Sequence, residues 1–499
     1  MNKPIDAAFL ALPCERLAEL ALTEITALGA SYGDVRFERL KGQSINMRDR
    51  RVERLTNSDM VGYAVRVVHE GSWGFAASYD LSPEAVKRTA REAVAVAKQL
   101  APLNAEPVVL AQEPVHTGTY VSSYEINPFE VPDSEKIEFL LNVNSAVLDG
   151  GADHVEFSLN QVLENKYFAS SEGTKTTQQR VRLHGNFDAL KVDPATGAFE
   201  TMRSLSAPVG RGWEYIKSGY DFTRAARETP ELLKEKMRSK SVEAGKYDLV
   251  IDPTNLWLTI HESIGHATEF DRVLGYEANY AGTSFATLDK LNKLQYGSKA
   301  LRITGDRTAE HGLSTVGWDD EGVAGQKWDL IKDGTLVGYQ LNRQMALKLG
   351  LERSNGCAFA DSPAHVPLQR MANVSLRAGE EDISTEDLIS RVEKGIYIMG
   401  DKSWSIDMQR YNFQFTGQRL FEIKNGKIIG QVKDAAYQAT TTDFWNSMEA
   451  VGGEKTYVLG GAFNCGKGQP GQVAPVSHGC PTGLFRNINI LNTAKEGAK

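Results

Sequence analysis

The sequence predicts a multidomain α+β fold, with mixed or antiparallel sheets and helices packed on them. Three observations carry this. Runs with apolar residues at helical spacing and short strand-like runs both occur along the 499 residues. The dipeptides Asp333-Gly334 and Asn425-Gly426 sit inside apolar runs and favour the positive φ of tight antiparallel hairpins. A chain of this length also exceeds a single core, at roughly 100–200 residues per domain.

The elements follow in order. Leu17, Leu20, Ala21, Ile25 and Leu28 mark a first helix. Short strand-like runs follow at 35–37, 63–67 and 73–75. Ser82-Pro83 is an N-cap with proline at the first helical position, opening a helix to about Leu100. Four prolines between 102 and 129 indicate a connector. A helix near 134–148 and β-rich runs from 153 to 205 form a middle layer. Glu231 to Lys246 reads as a charged, mostly solvated helical bridge. Asp248 to Ile251 is a short buried-strand candidate, and a helix follows from about Thr254. Nine glycines between Gly452 and Gly483 suit loops whose backbone closely approaches something else, more than packed strands. The expected units are 1–105, an N-terminal α/β domain; 106–240, a middle α+β domain with linker; and 241–499, the C-terminal domain.

Composition excludes several classes. Lys+Arg number 56 against 64 Asp+Glu, a net charge of -8. That balance lacks the basic footprint of nonspecific binding to nucleic acid or anionic membrane. Ala7 to Leu12 is too short an apolar stretch for a secretory signal, and no run approaches the roughly 18 apolar residues of a membrane span. The four cysteines, at 14, 357, 465 and 480, form no CxxC pair and no disulfide framework. A reducing cytoplasm is the expected setting.

The informative segment is His261-Glu262-Ser263-Ile264-Gly265-His266, one residue longer than the HExxH zinc motif. A chance match in a chain of this composition has a frequency of about 0.02. Histidines at i and i+5 lie about 140° apart on an ideal α-helix and cannot converge on one ion. A π-bulge, with its wider turn, brings them together. The motif is therefore expected on an irregular helix in the C-terminal domain, distorted near Gly265. Cys465, in Asn464-Cys465-Gly466-Lys467-Gly468, is the first candidate for a third ligand. Its glycines would let the backbone present a thiolate, and Lys467 would favour the charged sulfur. His478 and Cys480 are rivals, and spacing does not choose among the three. Two imidazoles and a thiolate are zinc-type donors, with a fourth position left for water. Arg370 is weighed as a partner for a substrate carboxylate against a surface or structural ion pair. Asp319-Asp320-Glu321 is weighed as a hard-cation site against a solvated or structural turn.

These residues, with Gly62-Tyr63-Ala64-Val65-Arg66-Val67, Gly71-Ser72-Trp73-Gly74-Phe75-Ala76, Asp319-Asp320-Glu321-Gly322, Leu330-Ile331 with Gly334, Arg370-Met371 with Asn373, and Cys465-Gly466-Lys467 with Gly468-Gln469, resemble the TldD/PmbA metallopeptidases over nearly the whole chain, specifically the zinc-bearing TldD type. The resemblance implies zinc held by His261, His266 and Cys465, with Glu262 as general base. It implies a cytoplasmic peptidase of unfolded or short peptides, acting in peptide maturation or antitoxin degradation. It also implies a homodimer or a heterodimer with a TldE/PmbA-like subunit. The alternative is a non-catalytic peptide- or protein-binding subunit of such a complex. Ala267-Thr268-Glu269 stands where many relatives have Gly-Leu-Glu, and Ser477 to Pro481 adds further potential ligands.

Overall fold

A computed structural model of the chain describes residues 3–496. Its first body is a seven-stranded sheet: β1 (Tyr32–Arg48), β2 (Arg51–His69), β3 (Ser72–Ser78), β4 (Thr117–Val121), β5 (His154–Ser170), β6 (Lys175–Val192) and β7 (Phe199–Arg203). The strand order is β3-β2-β1-β5-β6-β4, and β7 also pairs with β6. Only the β4–β6 pairing is parallel. Strands β1 and β5 pair continuously from Asp34–Ser170 to Arg48–Glu156. Segments 1–105 and 106–240 therefore share one sheet, because the hairpins on either side of the connector meet edge to edge.

Alternation along these strands separates two environments. Val35, Phe37, Ile45 and Met47 of β1 point to one face, which the helices cover. Helices α2 (Cys14–Ala27) and α3 (Pro83–Leu100) pack at one end through Leu17, Ala21, Ile25, Val86 and Ala90. Helices α4 (Asp133–Asp149) and α5 (Phe222–Arg238) pack at the other through Leu140, Val143, Val147 and Leu233. (The four-residue helix α1, Ala7–Leu10, precedes them.) Helix α5 starts earlier than the charged stretch suggests. Phe222, Ala225, Ala226, Thr229 and Leu233 are buried on a helical stripe, so it is packed rather than mostly solvated.

A set of even positions on these strands, Asp34, Arg36, Glu38, Arg66, Glu164 and Lys166, is charged and buried, and several of them reach the C-terminal body. Arg66 donates to Asp34 at 2.7 Å and to Glu321 at 3.1 Å. Lys166 donates to Asp320 at 2.8 Å and to the Ala360 carbonyl at 3.0 Å. The Asp319-Asp320-Glu321 run is thus a structural turn, but buried rather than solvated. Asp319 accepts from the backbone of Glu321, Val323 and Ala358, leaving no open cation site there.

The C-terminal body has a four-stranded sheet from β9 (Ile303–Asp306), β10 (Lys327–Lys332), β11 (Thr335–Leu336) and β14 (Asn373–Leu376). A short ribbon pairs β12 (Ala358–Phe359) with β13 (Leu368–Gln369). A second large sheet comprises β8 (Gly245–Ile251), β15 (Lys394–Ile406), β16 (Asn412–Lys424), β17 (Lys427–Val432), β18 (Ala435–Thr440), β19 (Met448–Val451) and β22 (Gly483–Asn492). Its order β15-β8-β22-β18-β16 closes on itself, because β15 and β16 also pair. Both predicted hairpins are present: Asp333 and Gly334 turn β10 into β11, and Asn425 and Gly426 turn β16 into β17, all four at positive φ. The glycine-rich tail departs from the expectation of loops. It forms the two-stranded ribbon β20 (Val458–Lys467) and β21 (Gln472–Cys480). Its glycines allow close approach instead: a Cβ on Gly460 would stand 2.7 Å from Trp257, and one on Gly479 would clash with the Tyr457 ring.

Candidate metal centre

Helix α6 (Pro253–Ile260) leaves β8 with Asp252 as its N-cap and Pro253 at the first position. Asn255 ties it to the closed sheet, donating to the carbonyls of Gly400 and Thr416 and accepting from Tyr437. The helix then widens into one π turn, His261–Gly265, followed by a 3-10 turn, His266–Thr268. This is the irregularity that the five-residue histidine spacing requires. Gly265 has ordinary helical φ; its role is space, since a Cβ would lie 2.6 Å from Met371 Sδ. Side chains support the turn. Gln340 donates to the Gly265 carbonyl at 2.7 Å, and Tyr296 donates to that of Ser263.

The π turn brings the imidazoles of His261 and His266 to a centroid separation of 4.7 Å. Cys465 joins them from β20, and one donor atom from each lies within 4.8 Å of the others. A register shift between Ala462 and Cys465 interrupts the ribbon there, and Cys465 is buried beside an exposed Asn464. A bulge of this kind re-aims a side chain. It does what the sequence reading gave to the flanking glycines. His266 Nε2 and Cys465 Sγ are 3.5 Å apart. Zinc bonds of about 2.1 Å to nitrogen and about 2.3 Å to sulfur, at a tetrahedral angle, would separate these donors by about 3.6 Å. That pair fits such an ion, and a His261 nitrogen lies within 4.8 Å of both donors.

The surrounding hydrogen bonds fix which nitrogens are free. The Val374 carbonyl can only accept, so His478 Nδ1 donates to it at 2.8 Å. His478 Nε2 then accepts, and His261 Nδ1 donates to it at 2.7 Å. His261 Nε2 is left with its lone pair. Likewise, His266 Nδ1 donates to Glu269 at 2.8 Å, leaving Nε2 towards Cys465. Both orienting contacts are of the kind that sets metal-binding histidines. Burial holds both motif imidazoles below their ordinary pKa. Burial pushes the Cys465 thiol up, but His266 and Arg370 outweigh it, and its pKa falls below the ordinary value.

Several candidates resolve differently. His478 has both nitrogens engaged and acts one shell out from the cluster. Cys480 contacts the Pro253 carbonyl at 3.7 Å, and burial raises its thiol pKa well above normal. Lys467 does not address the sulfur; it bonds Glu269 at 3.1 Å and Asp271 at 2.8 Å. With His266 and Arg272, it holds the Glu269 carboxyl well below its usual range against the cost of burial. Arg370 is buried and structural: it donates to the carbonyls of Cys465 and Gln472, clamping both strands of the ribbon. Two contributors escape sequence reading. Glu269 lies three residues beyond His266, and nothing in the spacing of the motif gives it a role. Arg410 is 148 residues from Glu262, to which it donates at 2.6 Å.

The cluster opens onto a cavity of about 610 Å³. One wall comes from the first sheet and the segment after it (His184, Arg203, Leu205). The other comes from Trp257, Trp404 and the β20 backbone. No helix among the described residues is long and apolar enough to cross a membrane.

Comparisons with known proteins agree with this arrangement. Residues 244–492 match the PmbA/TldA metallopeptidase C-terminal domain, and residues 33–97 match domain 1 of the same family. A metalloprotease of Methanocaldococcus jannaschii is 27% identical over 92% of this chain and 97% of its own. A zinc metalloprotease TldD homolog of Saccharolobus solfataricus is 23% identical over 93% of this chain and 97% of its own. In three dimensions the chain is similar to TldE from Thermococcus kodakarensis, with a TM-score of 0.71 at 15% identity, covering 95% of this chain and 99% of that one. With two family domains matched in order and relatives aligned end to end, this chain belongs to the TldD/PmbA metallopeptidase family.

Proposed function

We propose that the protein is a zinc-dependent peptidase acting on unfolded or short peptides, with His261, His266 and Cys465 as ligands and Glu262 as general base. The observation that carries this is the convergence of the His261, His266 and Cys465 donor atoms on the lining of the cavity. Zinc, when bound, supplies a Lewis acid for the scissile carbonyl and lowers the pKa of water. Glu262 takes the proton of the attacking water. The oxygen adds to the carbonyl carbon, Glu262 returns the proton to the amide nitrogen, and the C–N bond breaks; the second water proton passes from the new carboxyl group to the amine, giving carboxylate and ammonium. The β20 edge offers main-chain groups to an extended substrate, a mode that binds backbone with modest side-chain selectivity. The intact donor set favours this reading over a non-catalytic binding subunit.

The four free cysteines fit a reducing cytoplasm. A dimer, with itself or a TldE/PmbA-like chain, would enclose the cavity. The natural roles in view are peptide maturation and antitoxin degradation. The test is metal content by mass spectrometry, followed by a panel of unfolded peptides. About one zinc per chain is expected, with cleavage that Glu262→Ala abolishes while zinc stays bound. A variant that sheds its zinc would make Glu262 a ligand or a structural residue instead.

A further inference from the structure

We infer that Arg410 is a positioning residue for Glu262, dividing the carboxylate's two oxygens between anchoring and proton transfer; this rests on the peptidase reading above. Arg410 Nη1 donates to Glu262 Oε2 at 2.6 Å. Among the described residues Oε1 has no protein partner, and Glu262 lines the cavity. One oxygen is therefore held while the other faces the space where substrate and water meet. A free Glu side chain samples several rotamers; one charge-assisted contact to Arg410, itself held at Ala281, narrows that choice.

The chain around Arg410 is built to hold it still. It sits in the turn between β15 and β16 with φ +64°, a left-handed conformation uncommon outside glycine, asparagine and aspartate. Asp407 closes the turn, accepting from the backbone of Gln409, Tyr411 and Asn412 at 2.9–3.0 Å. Thr441 Oγ1 donates to the Arg410 carbonyl at 2.7 Å. The segment after α7 (Phe270–Val273) lies against the turn: Thr283 and Phe285 donate to the carbonyls of Met408 and Gln409. Arg410 Nη2 reaches the Ala281 carbonyl at 3.3 Å. Such strain, held by so many contacts, is typical of positions that must present one group accurately.

The test uses full-length, zinc-loaded protein. In Arg410→Ala, kcat should fall about 100-fold, the scale of a misplaced general base. KM, peptide affinity by fluorescence anisotropy and zinc stoichiometry should stay within about threefold. Millimolar guanidinium should restore part of kcat, and only when Glu262 is present. Should Arg410→Ala not fold, the same split is read on Arg410→Lys, which keeps a charge without the second nitrogen that holds the side chain at Ala281. Three results overturn the inference: unchanged kcat, a loss confined to KM or peptide affinity, and loss of zinc. If wild-type protein carrying zinc cleaves no peptide, the functional reading fails and takes this inference with it. If wild type cleaves and Arg410→Ala matches it, only the inference fails.

Discussion

Replacing His478 tests whether the cluster is tuned from outside or ligated by a third histidine. The ring is fully buried, stacks on Trp257 at 14°, and bridges the Val374 carbonyl and His261 Nδ1. Asparagine places an amide donor near the Nδ1 position but nothing at Nε2. His261 then keeps a buried N–H with no acceptor. An unsatisfied buried donor costs about 1–3 kcal/mol. Lost orientation of a metal-binding histidine costs about 10–100-fold in affinity, or about 1.4–2.8 kcal/mol at 1.4 per decade. The two routes agree. Zinc affinity, measured by competition with a chromophoric chelator, should weaken 10–100-fold in His478→Asn. His478→Gln, whose amide oxygen reaches the Nε2 position, should recover most of it. An Asn variant within threefold of wild type would refute the relay. A loss beyond about four decades would make His478 a ligand.

Other expectations follow from the same contacts. Cys465→Ala should reduce zinc from about one per chain to near none by mass spectrometry; retention would send the search for the third donor elsewhere. Glu38 is buried with both carboxylate oxygens lacking hydrogen bonds, and burial, opposed by Lys166 and Arg36, raises its pKa to about 7. A folded pKa above the unfolded 4.5 stabilises fully below about pH 4.5, and that stability is lost as pH rises through 7. Thermal melts should therefore show Glu38→Gln gaining on wild type between pH 5 and 8; a constant difference would contradict this. Gly282 has φ +88°, and a Cβ there would stand 2.0 Å from the Met408 carbonyl oxygen. Gly282→Ala should cost on the order of 1–3 kcal/mol in unfolding experiments. It should lower kcat with zinc retained, by displacing the Arg410 turn; an unchanged melt would show that the loop yields freely.

Local features were legible in the sequence because their physics is local. The i,i+5 histidine spacing demanded a widened turn if both rings were to meet, and one π turn is present. Asp333-Gly334 and Asn425-Gly426 placed two hairpins through backbone conformations that few residues adopt. The glycine-rich tail misled in one respect. Glycine weakens a strand, yet here its missing side chains let a ribbon lie against Trp257 and Tyr457, a packing requirement that composition alone cannot distinguish from a loop.

By itself, then, the sequence determined the paired histidines, the adjacent glutamate, the family and a short list of third ligands. Tertiary structure decided which of them stands beside both histidines. Cys465 meets His266 across 199 residues because ribbon register and a bulge turn its sulfur inward, while His478, thirteen residues on, points its ring at His261. Arg410 reaches Glu262 only because β15, β16 and the Gly282 segment converge. Strand register turns a side chain to one face or the other with each single-residue step, and that choice is set by pairing between distant segments.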